Sequence, residues 1–246
     1  MKPYLFSFLF LLLFASCSKE LEFETKTYEK KTSLKCQGLC PKITIKIPIA
    51  KDGILADSIN KKIFATLKQI VYFGEAPYDS KDYQELANDF IASYEKMQQE
   101  NPDELIGWEG DVNGRLVYKS EKVIGIELQH YTFTGGAHGY SGKTSLLFNR
   151  ETGHSITADS IFNNVEAVKT LAEKRFREKF KIPADAPINS GGLMFEEEKF
   201  ALPATIFLSD KGVLLYYNTY EIASYADGPR DVMLPYSEVD KYLRIK

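Results

Sequence analysis

Histidine and cysteine are scarce in this chain: 246 residues hold three of each, with one tryptophan and four methionines. So few imidazoles and thiols leave little material for a metal centre, and no ligand spacing joins His130, His138 and His154. A serine nucleophile elbow and a phosphate-binding glycine loop are both missing. So is an uninterrupted apolar run of the roughly 20 residues that a membrane-spanning helix needs. Positive charge is not in excess. Lys and Arg number 31 against 34 Asp and Glu, a formal net charge of −3, and the two signs are interspersed. No basic stripe is therefore laid out for nucleic acid.

What is present begins at the N-terminus. Met1 and Lys2 precede an apolar run over residues 4–14, which closes with Phe14, Ala15, Ser16 and Cys17. A basic start, a short apolar segment and small residues before a cysteine are the parts of a bacterial lipoprotein signal. The spacing predicts a cleaved leader over 1–16 and acylation of Cys17, with an ordinary secretory signal or an uncleaved anchor as the alternatives. Two or more buried acyl chains give lasting attachment where one does not. Residues 17–35 are polar and charged and read as a flexible tether. Cys36 and Cys40 remain. In an exported chain they favour a local disulfide, worth roughly 2 kcal/mol for so short a loop. The alternative is half of a metal site, for which no second Cys pair or nearby His exists.

The body reads as alternating blocks. Ile43, Ile45, Ile47 and Ile49 have the period of a half-buried strand. Asp57 is placed to cap a helix carrying Ile59, Ile63, Leu67 and Ile70 on or near one face. A second helix after Ser80 carries Tyr83, Leu86, Phe90, Tyr94 and Met97 on one stripe. Strands are predicted over 108–118, 122–133 and 143–149, with Asn113-Gly114 as a turn or bulge. Asn164 caps a third helix bearing Val165, Val168, Ala172 and Phe176. A hairpin over 204–217, a strand near 232–234 and a short helix from Ser237 complete the chain. The fold class is α+β, with antiparallel sheets, helices packed on one side and two interdependent halves over 36–150 and 151–246.

Two stretches carry a family resemblance. The first is Tyr131-Thr132-Phe133-Thr134-Gly135-Gly136-Ala137-His138-Gly139, followed by Phe148-Asn149 and the 156–162 segment. The second is Phe207-Leu208-Ser209-Asp210-Lys211-Gly212, followed by Tyr216, Tyr220-Glu221-Ile222-Ala223, Tyr225-Ala226-Asp227-Gly228-Pro229 and the 234–239 segment. In this order they resemble the paired extracytoplasmic domains of RsiV-type anti-sigma factors. Similar domains precede the catalytic domain of the peptidoglycan deacetylase PdaC. The resemblance implies a module at the cell wall, which in the anti-sigma relatives senses lysozyme by binding it. Sigma-factor control in cis and deacetylase chemistry are not expected to carry over. No cytoplasmic segment precedes the module, and the Asp/His/His metal set is missing.

The candidate ligand residues fall in two segments, expected to combine into one ligand face. Gly135, Gly136, His138 and Tyr140 lie between two strands, where glycines permit positive φ and close approach of a ligand. Tyr216, Tyr220, Glu221, Tyr225 and Asp227 combine rings with carboxylates. Each set also has a plain structural reading: a bulged connection, and a corner in which Glu221 accepts backbone hydrogen bonds. No catalytic residue, cofactor or metal is predicted. The expectation is a lipid-anchored envelope lipoprotein, on the outer membrane and periplasmic or surface-exposed. It acts as a non-catalytic recognition module for peptidoglycan, another glycan or a wall-active protein. Lysozyme binding is the first alternative. A glycan hydrolase using Glu221 and Asp227 is the second, and it requires two carboxylates roughly 5–10 Å apart across a cleft.

Overall fold

The computed structural model describes residues 21–36, 38–102 and 107–245. The predicted leader and Cys17 lie outside them. The elements are β1 (Phe23–Lys31), β2 (Lys42–Ala50), α1 (Ile54–Ile70), α2 (Tyr83–Glu100), β3 (Glu109–Lys119), β4 (Val123–Phe133), β5 (Tyr140–Asn149), β6 (Ser155–Ile156), α3 (Ala158–Ile161), α4 (Val165–Phe180), β7 (Thr205–Leu208), β8 (Gly212–Tyr217), β9 (Arg230–Pro235) and α5 (Tyr236–Val239). Strands β1 to β6 form one sheet in sequence order, and β7, β8 and β9 form a second. The fold is α+β in two parts.

The first sheet is mixed rather than purely antiparallel, because β2 and β3 run parallel. A parallel neighbour needs a crossover connection, and α1 with α2 supplies it. Their apolar stripes cover one face of the sheet. Ile59, Ile63 and Leu67 of α1 and Leu86 and Phe90 of α2 are buried with Ile43, Ile45 and Ile47 of β2 and with Ile124, Ile126 and Leu128 of β4. Trp108 is fully buried and packs its ring against Phe73, Phe90 and Tyr94.

The opposite face of β4 and β5 belongs to a second core. Because successive side chains alternate, Val123 and Leu147 point away from the first helices and join Val168, Ala172 and Phe176 of α4 and the inner residues of β7, β8 and β9. Phe176 is at the centre, with the rings of Phe195, Phe200 and Tyr217 all 5.6 Å or less from it. The two halves thus share the β4–β5 pair as a common wall.

Several local expectations are corrected. The segment read as a tether is folded through most of its length. Leu21, Phe23, Tyr28 and Leu34 pack against the first core, and Phe23–Lys31 pairs along all of β2. Its charge is that of an edge strand, where Lys and Glu discourage pairing with other chains, and Tyr28 stacks on Tyr83 of α2 at 5.2 Å. Asp57 does not cap α1. Gly53 holds that position with φ 97°, and Asp57 sits in the first turn, where its charge still complements the helix dipole. The cap of α2 is Asp82, which accepts the Glu85 amide at 2.8 Å. Asn164 caps α4 as predicted, accepting the Ala167 amide at 3.0 Å. Asn113-Gly114 is neither turn nor bulge. It pairs in register with Gln129 and Leu128, and the irregularity falls between Leu116 and Tyr118. Gly114 is small because Pro48 and Leu128 press on it: a Cβ there would meet Pro48 Cδ at 2.9 Å. Cys36 and Cys40 form a disulfide, with Cα atoms 5.5 Å apart.

Candidate functional site

The β4–β5 connection and the β8–β9 connection meet at one end of the wall. In the first, Gly135 and Gly136 take φ of 112° and 86°, values that only glycine adopts cheaply, and so turn the loop outward. His138 follows on its exposed side. Its Nδ1 lies 3.1 Å from the Gly139 carbonyl oxygen, which can only accept, so Nδ1 carries the proton. Nε2 is then an acceptor and takes the hydroxyl hydrogen of Tyr220 at 3.3 Å. The imidazole also lies flat on Tyr225, with centroids 3.6 Å apart and planes inclined by 14°. Tyr220 and Tyr225 are 5.8 Å apart. Tyr220, Tyr225 and Tyr140 keep 53%, 40% and 37% of their surface exposed.

The second loop is held in place by groups the sequence reading passed over. The N-terminal half of β5 has an edge beyond β6, and Asn218 fills it. The Asn218 side-chain amide accepts from the Lys143 N–H at 2.7 Å and donates to the Lys143 carbonyl at 3.0 Å, as a neighbouring strand would. Thr205 also donates to that carbonyl, at 3.2 Å. Glu221 then ties the corner: one carboxylate oxygen accepts the Asn218 amide at 2.8 Å and the other the Ala204 amide at 3.0 Å. Asp227 accepts from Ser224 at 2.5 Å and from Arg230 at 3.3 Å, closing the turn that carries Tyr225. The Glu221 carboxylate therefore braces backbone, and that of Asp227 holds two side chains of its own turn.

Tyr216 stands apart from this stack. It faces the wall, with Lys143 Nζ 5.1 Å above its ring and Phe207 beside it. Lys143 also lies 3.7 Å from Glu127, a carboxylate only 6% exposed that is paired with Arg115. Burial raises the Tyr216 pKa, helped by the nearby charges of Asp231 and Glu127. Burial likewise raises that of Tyr140, with Glu221 adding to it. Behind Tyr140, at 5.8 Å between rings, His130 is buried and pushed down to about 4 by desolvation, against a smaller pull from the Leu128 backbone. Its ring is neutral at ordinary pH.

Of the predicted residues, His138, Tyr220 and Tyr225 touch one another directly. Gly135 and Gly136 shape their loop, Tyr140 flanks it, and Glu221 and Asp227 support it. Asn218, Lys143, Glu127, Arg115 and Thr205 were missed. No local pattern marks an asparagine that will serve as a strand substitute for residues 75 positions away. Among the described residues, no three His, Cys, Asp or Glu side chains group as a metal set. The arrangement offers flat ring faces beside a hydroxyl and an imidazole. Such surfaces combine a large apolar contact with a polar handle.

Comparison with known proteins agrees with this architecture. Residues 34–141 match the family model "Deacetylase PdaC", and residues 155–237 match the family of unknown function DUF3298. The peptidoglycan-N-acetylmuramic acid deacetylase PdaC of Bacillus subtilis is 21% identical over 138 residues, which are 54% of this chain and 29% of that protein. The chain thus matches less than a third of that relative's length. A DUF3298 family member from Bacteroides fragilis superposes with a TM-score of 0.70 at 20% identity, over 92% of this chain and 94% of that one. A DUF3298 family protein from Pseudomonas aeruginosa gives 0.65 at 21% identity, over 91% and 94%. With the two family models matched in sequence order, residues 34–141 are PdaC-like and residues 155–237 are DUF3298-like, and nearly the whole chain shares the fold of the solved DUF3298 structures.

Proposed function

We propose that this protein is a non-catalytic recognition module for peptidoglycan or a related glycan. It is held in the cell envelope by lipid on Cys17, on the outer membrane and facing the periplasm or the surface. One observation carries the reading: loops more than 80 residues apart are built to present His138 stacked on Tyr225, with Tyr220 hydrogen-bonded beside them and its ring half exposed. A sugar ring has a C–H face that seats on such rings and hydroxyls that can donate to the Tyr220 hydroxyl oxygen, whose own hydrogen is held by His138. The match of 138 residues to less than a third of a peptidoglycan deacetylase supports the same ligand class. A binding role also fits the carboxylates, because Glu221 has both oxygens engaged by backbone amides.

The test is retention on purified peptidoglycan and on immobilised lysozyme. The wild type is expected to stay on peptidoglycan at micromolar concentration, and Tyr225→Ala and His138→Ala to lose at least tenfold in retention with an unchanged circular dichroism spectrum. Retention on lysozyme alone would move the site to a protein ligand. Retention on neither, or full retention by both variants, would overturn the assignment.

A further inference from the structure

Strand register gives the first sheet two well-separated ends. One transverse row runs Lys31, Lys42, Glu109, Phe133, and the loop bearing His138 projects beyond it. At the other end Phe23 pairs with Ala50, and Val123 with Asn149. The eight steps of β1 between these ends cover about 26 Å at roughly 3.3 Å per residue. The chain enters at the second end. Leu21 is already packed on the body there, and it is only four residues after Cys17. Whatever their arrangement, four residues reach no farther than ~14 Å.

The same end carries an unusual side chain. Ile54, at the start of α1, is 86% exposed, the most exposed large apolar residue of the described chain. It lines a cleft of about 400 Å³ together with Leu21, Gly53 and Leu55 and with the charged Glu22, Lys51 and Asp52, which suit the headgroup level. The Gly153 turn closes on Leu55, with Ser58 donating to the Gly153 carbonyl at 2.9 Å, so the end is held rigidly. An apolar side chain within reach of an acylated cysteine has an apolar phase to enter, and that phase is the bilayer boundary.

We infer that the Leu21–Ile54 end rests on the lipid surface, with Ile54 in the boundary between headgroups and acyl chains, and that the sheet acts as a spacer holding the His138–Tyr225 stack at the membrane-distal end. The inference rests on the proposed acylation of Cys17. It makes the ligand one that approaches from the aqueous side, such as polymer strands lying above the bilayer, and not a lipid headgroup.

The experiment uses the full chain, acylated in a bacterial host and reconstituted into phosphatidylethanolamine–phosphatidylglycerol vesicles. One fluorophore is placed through Ile54→Cys or through Ala137→Cys, and quenching by a spin-labelled lipid is read. Quenching at position 54 is expected to be at least threefold stronger than at 137. Equal quenching, or stronger quenching at 137, overturns the orientation. Vesicle flotation supplies the second readout: wild type floats and Cys17→Ser does not. A wild-type chain that fails to float overturns the anchor and the orientation with it. Neither readout uses peptidoglycan, so failure here is distinct from failure of the ligand assignment.

Discussion

His130 and His138 lie eight residues apart and do opposite things. His138 is on the surface, with both ring nitrogens engaged and its face against Tyr225. His130 is buried beside Gly142, where a Cβ would come within 2.6 Å of its Nε2, and its Nδ1 makes no well-formed hydrogen bond. Desolvation disfavours the charged imidazolium there. The consequence for stability has a definite sign. Above pH 6.5 the ring is neutral in both folded and unfolded chains and no penalty arises. Between pH 6.5 and about 4 the unfolded chain takes up a proton that the folded one refuses. Stability should therefore fall across that window, by an amount on the order of 3 kcal/mol, and level off below it. Urea unfolding at pH 7.5, 5.5 and 4.5 should show this slope in the wild type and a shallower one in His130→Gln. Parallel slopes would mean that other groups set the acid response.

Among the elements, the β8–β9 connection depends most on contacts distant in sequence. Its position comes from Asn218 acting on the β5 edge and from Glu221 tying Asn218 to Ala204. Removing the Asn218 amide leaves a strand N–H and carbonyl without that partner. Asn218→Ala should cost about 2–3 kcal/mol by chemical denaturation. It should also weaken ligand retention, because Tyr220 and Tyr225 ride on the same loop. A variant with wild-type stability and retention would show that the loop is held by other means. The helices were the most readable elements, since periodic stripes such as Tyr83, Leu86, Phe90 and Tyr94 report their buried face directly. Edge strand β1 was the least readable. Its outward charge resembles a linker, and its apolar residues Phe23 and Tyr28 do not alternate.

The whole molecule is two cores on a shared wall. Val123 and Leu147 are buried only because the second half covers them, and Glu127 is 6% exposed between the halves with Arg115 and Lys143 as partners. A fragment ending at residue 153 would bare these apolar side chains together with the β5 edge. Such a fragment, made as residues 21–153, should elute from gel filtration as aggregate, while the full chain melts in one cooperative transition. A monomeric fragment with its own sharp melt would show that the halves are energetically independent.

The fold class, the helix stripes, the Asn164 cap, the β7–β8 hairpin and the short-range disulfide were all legible from residue order, because each depends on neighbours a few positions apart. So were the two loops that meet at the candidate site, marked by paired glycines in one and clustered tyrosines in the other. Their joining in one ligand face was expected, but the ring contacts that join them were not legible, nor was the parallel placement of β2 beside β3, nor the use of Asn218 as a one-residue strand. Those depend on which faces of β4 and β5 are covered and at what register. Such choices are settled by burying two apolar surfaces at once, a condition on the assembled chain that no local stretch of sequence expresses.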